Sequence, residues 1–189
     1  MKKKSFFILI IIILSMFTAC TPNIEDNETI PFNVGLNDHY GPKLSGFNFE
    51  DIDIKDERSK YFLTEKTDSL EDLIKLCDEK EYSFFNENDD NYDHELSQKV
   101  REYNDTFFQR NSLIMVFYYE NTGDYPTKID SLNIEDNVIT VKIAKPGLEA
   151  VNCIASWYVY LIEVNKEDIK DVDKVEATHI IKGKIEDYN

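Results

Sequence analysis

The sequence predicts an α+β domain: an antiparallel sheet of about five or six strands with two helices N-terminal to the main strand run. Three observations carry this. Apolar residues recur at helical spacing between Leu70 and Phe107. From Ser112 onward the period changes to that of strands. Those later runs follow one another through short polar loops instead of alternating with helices, which argues against parallel βαβ units.

Ser59–Thr64 is a short apolar run suited to a strand. Ser69 then stands three residues ahead of Asp72, close to a capping box. Leu70, Leu73, Ile74 and Cys77 follow at i, i+3, i+4 and i+7, so they share one helix face, and this helix should end near Lys80. Residues 86–91 are polar and acidic and read as loop. A second helical stripe is expected at Leu96, Val100, Tyr103 and Phe107, with Asp93 as its cap.

Leu113–Tyr119 is apolar throughout, as a strand covered on both faces should be. Residues 121–124 form a turn. Lys128–Ile134 and Val138–Ala144 flank a hairpin loop at residues 135–137. In the second arm Ile139, Val141 and Ile143 alternate with Thr140 and Lys142, so one face is wet. Pro146 and Gly147 break the chain. Cys153–Val164 is again apolar on both faces, and Val175–Lys182 is the last strand. Alternation places Trp157 on the side of Phe117 or Tyr119, and puts Tyr158 and Tyr160 with Ile154 and Ile162 on the opposite side, as a second packed layer.

The N-terminus has the layout of a secretory signal peptide. Lys2, Lys3 and Lys4 precede an apolar stretch from Phe6 to Phe17, and Thr18-Ala19-Cys20 follows. The run is shorter than the roughly 20 residues a transmembrane helix needs. The small residues before Cys20 resemble a bacterial lipobox, although Phe17 stands where Leu is usual. The resemblance implies a signal peptide over residues 1–19, cleavage before Cys20, and a diacylglycerol on its thiol. Two acyl chains anchor a protein stably, so the expected location is the cell membrane, lipid-anchored and facing outward. Residues 20–57 read as an acidic tether, partly docked, with a short strand suggested at Phe47, Phe49, Ile52 and Ile54. Residues 58–189 read as the domain.

Charge narrows the partners. The 189 residues carry 21 Lys and Arg against 37 Asp and Glu, a formal charge of −16. Loss of the three leader lysines leaves 18 against 37, or −19. Nucleic acid and anionic lipid surfaces both require a basic footprint, so neither is expected as a partner. The 170 residues from Cys20 onward can bury roughly 70% of their unfolded surface, enough for a substantial core.

Tyr103, Phe107-Phe108, Asn111 and Leu113 ahead of the apolar strand, then Cys153, Ala155 and Trp157, form a further pattern. It resembles a group of small, uncharacterised lipoproteins of low-GC Gram-positive bacteria, and more distantly the C-terminal domain of the B component of a protease complex. The first likeness implies fold and location. The second implies, as an alternative function, an accessory subunit or hydrolase of an envelope protease system.

The remaining chemistry-bearing residues give no catalytic pattern. With Cys20 lipidated, Cys77 and Cys153 allow a disulfide, but both lie at core positions where a free Cys acts as a small hydrophobe. His39, His94 and His179 share no metal-ligand spacing. Asn86, Asn88 and Asp90 resemble half a calcium loop, yet its glycine position is Asn91 and its final glutamate position is Ser97. The chain has no GxSxG, no SxxK and no Gly-rich phosphate loop among its six glycines. The expectation is therefore a lipoprotein without catalytic residues, metal or cofactor, which binds an envelope protein or extracellular ligand.

Overall fold

The computed structural model describes residues 28–40, 61–90, 92, 94–120, 125–147 and 156–188. They form an α+β domain of three layers, with helices on one sheet and a second sheet on the first. The strands are β1 (Glu28–Thr29), β2 (Asn33–Tyr40), β3 (Tyr61–Thr67), β4 (Asn111–Glu120), β5 (Lys128–Glu135), β6 (Val138–Lys145), β7 (Ser156–Asn165) and β8 (Lys174–Ile181). Helices α1 (Leu70–Glu79), α2 (Glu95–Arg101) and α3 (Asp105–Phe108) lie between β3 and β4, ahead of the main strand run. One sheet has the order β2-β7-β4-β3 and is antiparallel. The other has the order β1-β5-β6-β8, and its β6–β8 pair is parallel.

Ser69 starts α1. Its hydroxyl oxygen accepts the Asp72 amide at 3.0 Å, and its O–H donates to the Asp72 carboxylate at 2.6 Å. Lys80 caps the other end. The second helical stripe is divided in two. Asn104 turns its side-chain oxygen to the amides of Thr106 and Phe107 at 2.9 and 3.2 Å, so a new helix begins where one continuous helix was expected. His94 caps α2, its Nδ1 accepting the Leu96 amide at 3.3 Å. Asp93, the cap expected from the sequence, lies outside the described residues.

The β5–β6 hairpin turns at Asp136 and Asn137, with φ of 49° and 62°. Two residues with positive φ match the twist of the flanking strands, and Asp and Asn tolerate that region.

Strands β4 and β7 are central, which explains their unbroken apolar runs. Leu113, Met115 and Phe117 of β4, with Trp157, Val159 and Leu161 of β7, pack beneath the helices against Leu73, Cys77, Phe84, Leu96 and Val100. The alternate residues Ile114, Val116, Tyr118, Tyr158, Tyr160 and Ile162 face the second sheet and meet Leu132, Ile139, Val141 and Ile143. Trp157 lies against Tyr119, ring centroids 4.9 Å apart. Tyr158 and Tyr160 form a second packed layer, because a whole sheet covers them.

The division into two sheets has a simple basis. Strands β5 and β6 bury one face only, while β7 needs cover on both. β7 therefore crosses to pair with β4, and β8 returns beside β6. Since β6 and β8 are not joined by a hairpin, nothing requires them to be antiparallel. Side-chain bonds tie the open flanks. Thr64 donates to the Val175 carbonyl at 2.8 Å, and Asn37 donates to that of Thr127 at 3.0 Å.

The segment read as a tether contributes β1 and β2. β2 pairs with β7, while Ile30 and Phe32 pack into the inter-sheet core. The strand suggested at Phe47–Ile54 lies outside the described residues.

Candidate functional site

Where the inter-sheet core reaches one end of the sandwich, its apolar side chains give way to a polar cluster. Glu120 is the last residue of β4 and Lys145 the last of β6, so the two charges come from different sheets. Their side chains are 2% and 11% exposed. Lys145 Nζ donates to Glu120 Oε1 at 2.8 Å and Oε2 at 3.2 Å, and to the phenol oxygen of Tyr125 at 3.1 Å. The hydroxyls of Tyr118 and Tyr125 both donate to Glu120 Oε2. The Tyr158 hydroxyl oxygen accepts the Tyr125 amide at 3.1 Å, and Thr127 shares a hydrogen bond with Tyr160. Burial raises the Tyr160 phenol above its ordinary value, against the lowering effect of its bond to Thr127.

A buried carboxylate requires a cation and donors, and this one has both. The three ammonium protons of Lys145 each find an oxygen within the cluster. The chemistry of this arrangement is mutual neutralisation. It joins the two sheets.

The residues singled out in the sequence are dispersed. Cys20 and Cys153 lie outside the described residues. Cys77 is a free, buried thiol on α1. Burial, reinforced by the nearby Asp78 charge, raises it to about 12, which makes it a poor nucleophile. His39 falls in β2, His94 caps α2, and His179 sits on β8 with its ring 6.2 Å from that of Tyr118. In the half calcium loop, Asn86 spends its side-chain oxygen on the amide of Asn88 at 3.1 Å. Among the described residues no three His, Cys, Asp or Glu side chains are placed to hold a metal.

Glu120, Lys145 and Tyr125 were not singled out by sequence reasoning. The available signal was a charge closing each of two apolar strands. Nothing in the sequence shows that these two strand ends meet.

A second feature lies on the helical layer. Leu70, Glu71, Ile74, Lys75 and Asp78 of α1, with Asp105 of α3, line a surface hollow of about 490 Å³. The helical spacing assigned Leu70, Leu73, Ile74 and Cys77 to one helix face. The fold buries Leu73 and Cys77, half-buries Leu70, and leaves Ile74 37% exposed at the hollow.

No family model, curated protein or solved structure matches the chain, so the likenesses noted in its sequence rest on the quoted residues alone.

Proposed function

We propose that the chain is an extracytoplasmic lipoprotein, anchored through a diacylglycerol on Cys20, whose domain binds an envelope partner and performs no catalysis itself. The N-terminal sequence carries this reading: three lysines, an apolar run, then Thr18-Ala19-Cys20. The remaining features are compatible with it. Among the described residues no helix is long and apolar enough to cross a membrane. Cys77 is held as a neutral thiol.

The early entry of the chain into the sheets adds a spatial consequence. Residues 21–27 separate Cys20 from β1, and seven residues reach at most about 25 Å when fully extended. A lipid on Cys20 would hold the domain close to the membrane surface, within reach of other envelope proteins. Glu25 and Asp26 in that connection are repelled by anionic headgroups and bias the domain outward.

The test is Cys20→Ala in a Gram-positive host fed radiolabelled palmitate. The parent chain should take up label, shorten to the form beginning at Cys20, and partition into detergent. The variant should remain full length and unlabelled. An unchanged size with normal labelling of the variant removes the reading.

A further inference from the structure

We propose that the hollow between α1 and α3 is the docking surface for a partner segment that presents apolar side chains flanked by Lys or Arg. This deepens the binding function proposed above and rests on it for the existence of a partner, but makes no use of the lipid.

Two independent features of the hollow lead to this. The first is apolar. The stripe on α1 is wider than the surface that the sheet covers, so Ile74 is left 37% exposed at a concavity of about 490 Å³ beside half-buried Leu70. An exposed apolar side chain at a hollow, rather than on a convex surface, can be covered by a complementary side chain. The second is electrostatic. Glu71, Asp78 and Asp105 line the hollow and are exposed, and among the described residues none of them forms an ion pair. Among the described residues the one cation in the lining, Lys75, is shared with Glu79 at 3.6 Å. Three uncompensated carboxylates around an apolar floor favour a cationic segment and steer it inward over about a Debye length, roughly 10 Å at 0.1 M salt.

Charge also selects against other occupants. A second copy would bring the same acidic rim to this one, in a chain of net charge −16. Segment 41–60 of this chain carries five carboxylates against four basic side chains and has no positive surplus. Nucleic acid is repelled for the same reason.

The test uses the full chain in phosphatidylcholine vesicles, whose zwitterionic surface does not recruit a basic peptide. The probe is a fluorescent hexapeptide with a Leu-Ile centre and two lysines on each side, compared with its glutamate counterpart. The lysine peptide should bind saturably and the glutamate peptide should not. Ile74→Asp, and the combined Glu71→Gln, Asp78→Asn and Asp105→Asn, should each weaken binding about tenfold or more, as loss of an anchor or of a charge pattern does. Raising salt from about 50 to 300 mM should weaken it several-fold. Asp168→Asn with Asp171→Asn, exposed carboxylates elsewhere on the domain, should leave it unchanged. All these positions are exposed, and unaltered circular dichroism confirms folding.

Equal binding of the glutamate peptide, equal weakening by the distant pair, absence of saturable binding, or self-association through the hollow in sedimentation would each overturn the proposal. Lipid uptake at Cys20 separates the two readings. Peptide binding by a parent chain that takes up no lipid at Cys20 removes only lipidation, and an intact anchor without peptide binding removes only the docking surface.

Discussion

Lys145 Nζ lies 2.8 Å from Oε1 and 3.2 Å from Oε2 of Glu120, and this ion pair bridges the two sheets at the end of their shared core. Both side chains are almost fully buried, so the pair has given up its hydration on each side. Such a pair adds little net stability over an apolar replacement, but removing one partner strands a buried charge. Lys145→Met should therefore cost about 3–5 kcal/mol in urea unfolding. Adding Glu120→Gln should recover most of that loss, because an amide oxygen can still accept from Tyr118 and Tyr125. A double variant no more stable than Lys145→Met would show that the charge is not what the lysine balances.

Gly35 lies at the register shift between Val34 and Leu36 in β2, and the site has no room for a side chain. A Cβ there would fall 2.2 Å from the hydroxyl of Tyr103 and 2.8 Å from Oε1 of Glu163. Those two groups are hydrogen-bonded to each other at 3.3 Å above the glycine. Gly35→Ala should destabilise the domain by about 1–3 kcal/mol through overpacking. Tyr103→Phe in the same chain should relieve part of that cost, which a double-mutant cycle in urea would measure.

High pH should weaken the fold. Burial raises the Cys77 thiol from 9.0 to about 12, and burial likewise raises the phenols of Tyr82, Tyr103 and Tyr160. The folded groups keep protons that the unfolded chain releases, so their contribution is complete below pH 9 and declines as the pH rises through 9 toward 12. Urea midpoints should hold steady to about pH 9 and then fall, with tyrosinate absorbance appearing together with unfolding. Iodoacetamide should reach Cys77 only in the unfolded chain. Fast labelling of Cys77 in the folded protein would contradict its burial.

Asn104→Ala should cost about 1 kcal/mol and loosen α3, since one side-chain oxygen serves the amides of both Thr106 and Phe107. Hydrogen exchange at those two amides reads the effect locally. Exchange that stays slow in the variant would mean that packing of Phe108, rather than the cap, holds this turn.

Much of this architecture is legible locally. Ser69 starts α1 and Lys80 ends it, as the cap and the spacing indicate. The unbroken runs in β4 and β7 announce strands covered on both faces, and Trp157 meets Tyr119 as alternation requires. The break between α2 and α3 was less visible. Tyr103 and Phe107 keep helical spacing across it, while an Asn side chain supplies the bond that ends the continuity. The Glu120–Lys145–Tyr125 cluster could not be found at all from spacing, because it joins two strand ends that are adjacent only after the sheets pack.

By its residues alone the sequence determined element type, the start of α1 and the hairpin, since caps, turns and periodicity act within a few positions of the chain. It also determined the net charge of −16. Only the tertiary structure decided that the strands split into two sheets, that β8 runs parallel to β6, that Gly35 lies under Tyr103, and that Ile74 stays partly exposed beside three carboxylates. Those outcomes depend on which surfaces are large enough to cover each other, a property of the packed layers and not of any single segment.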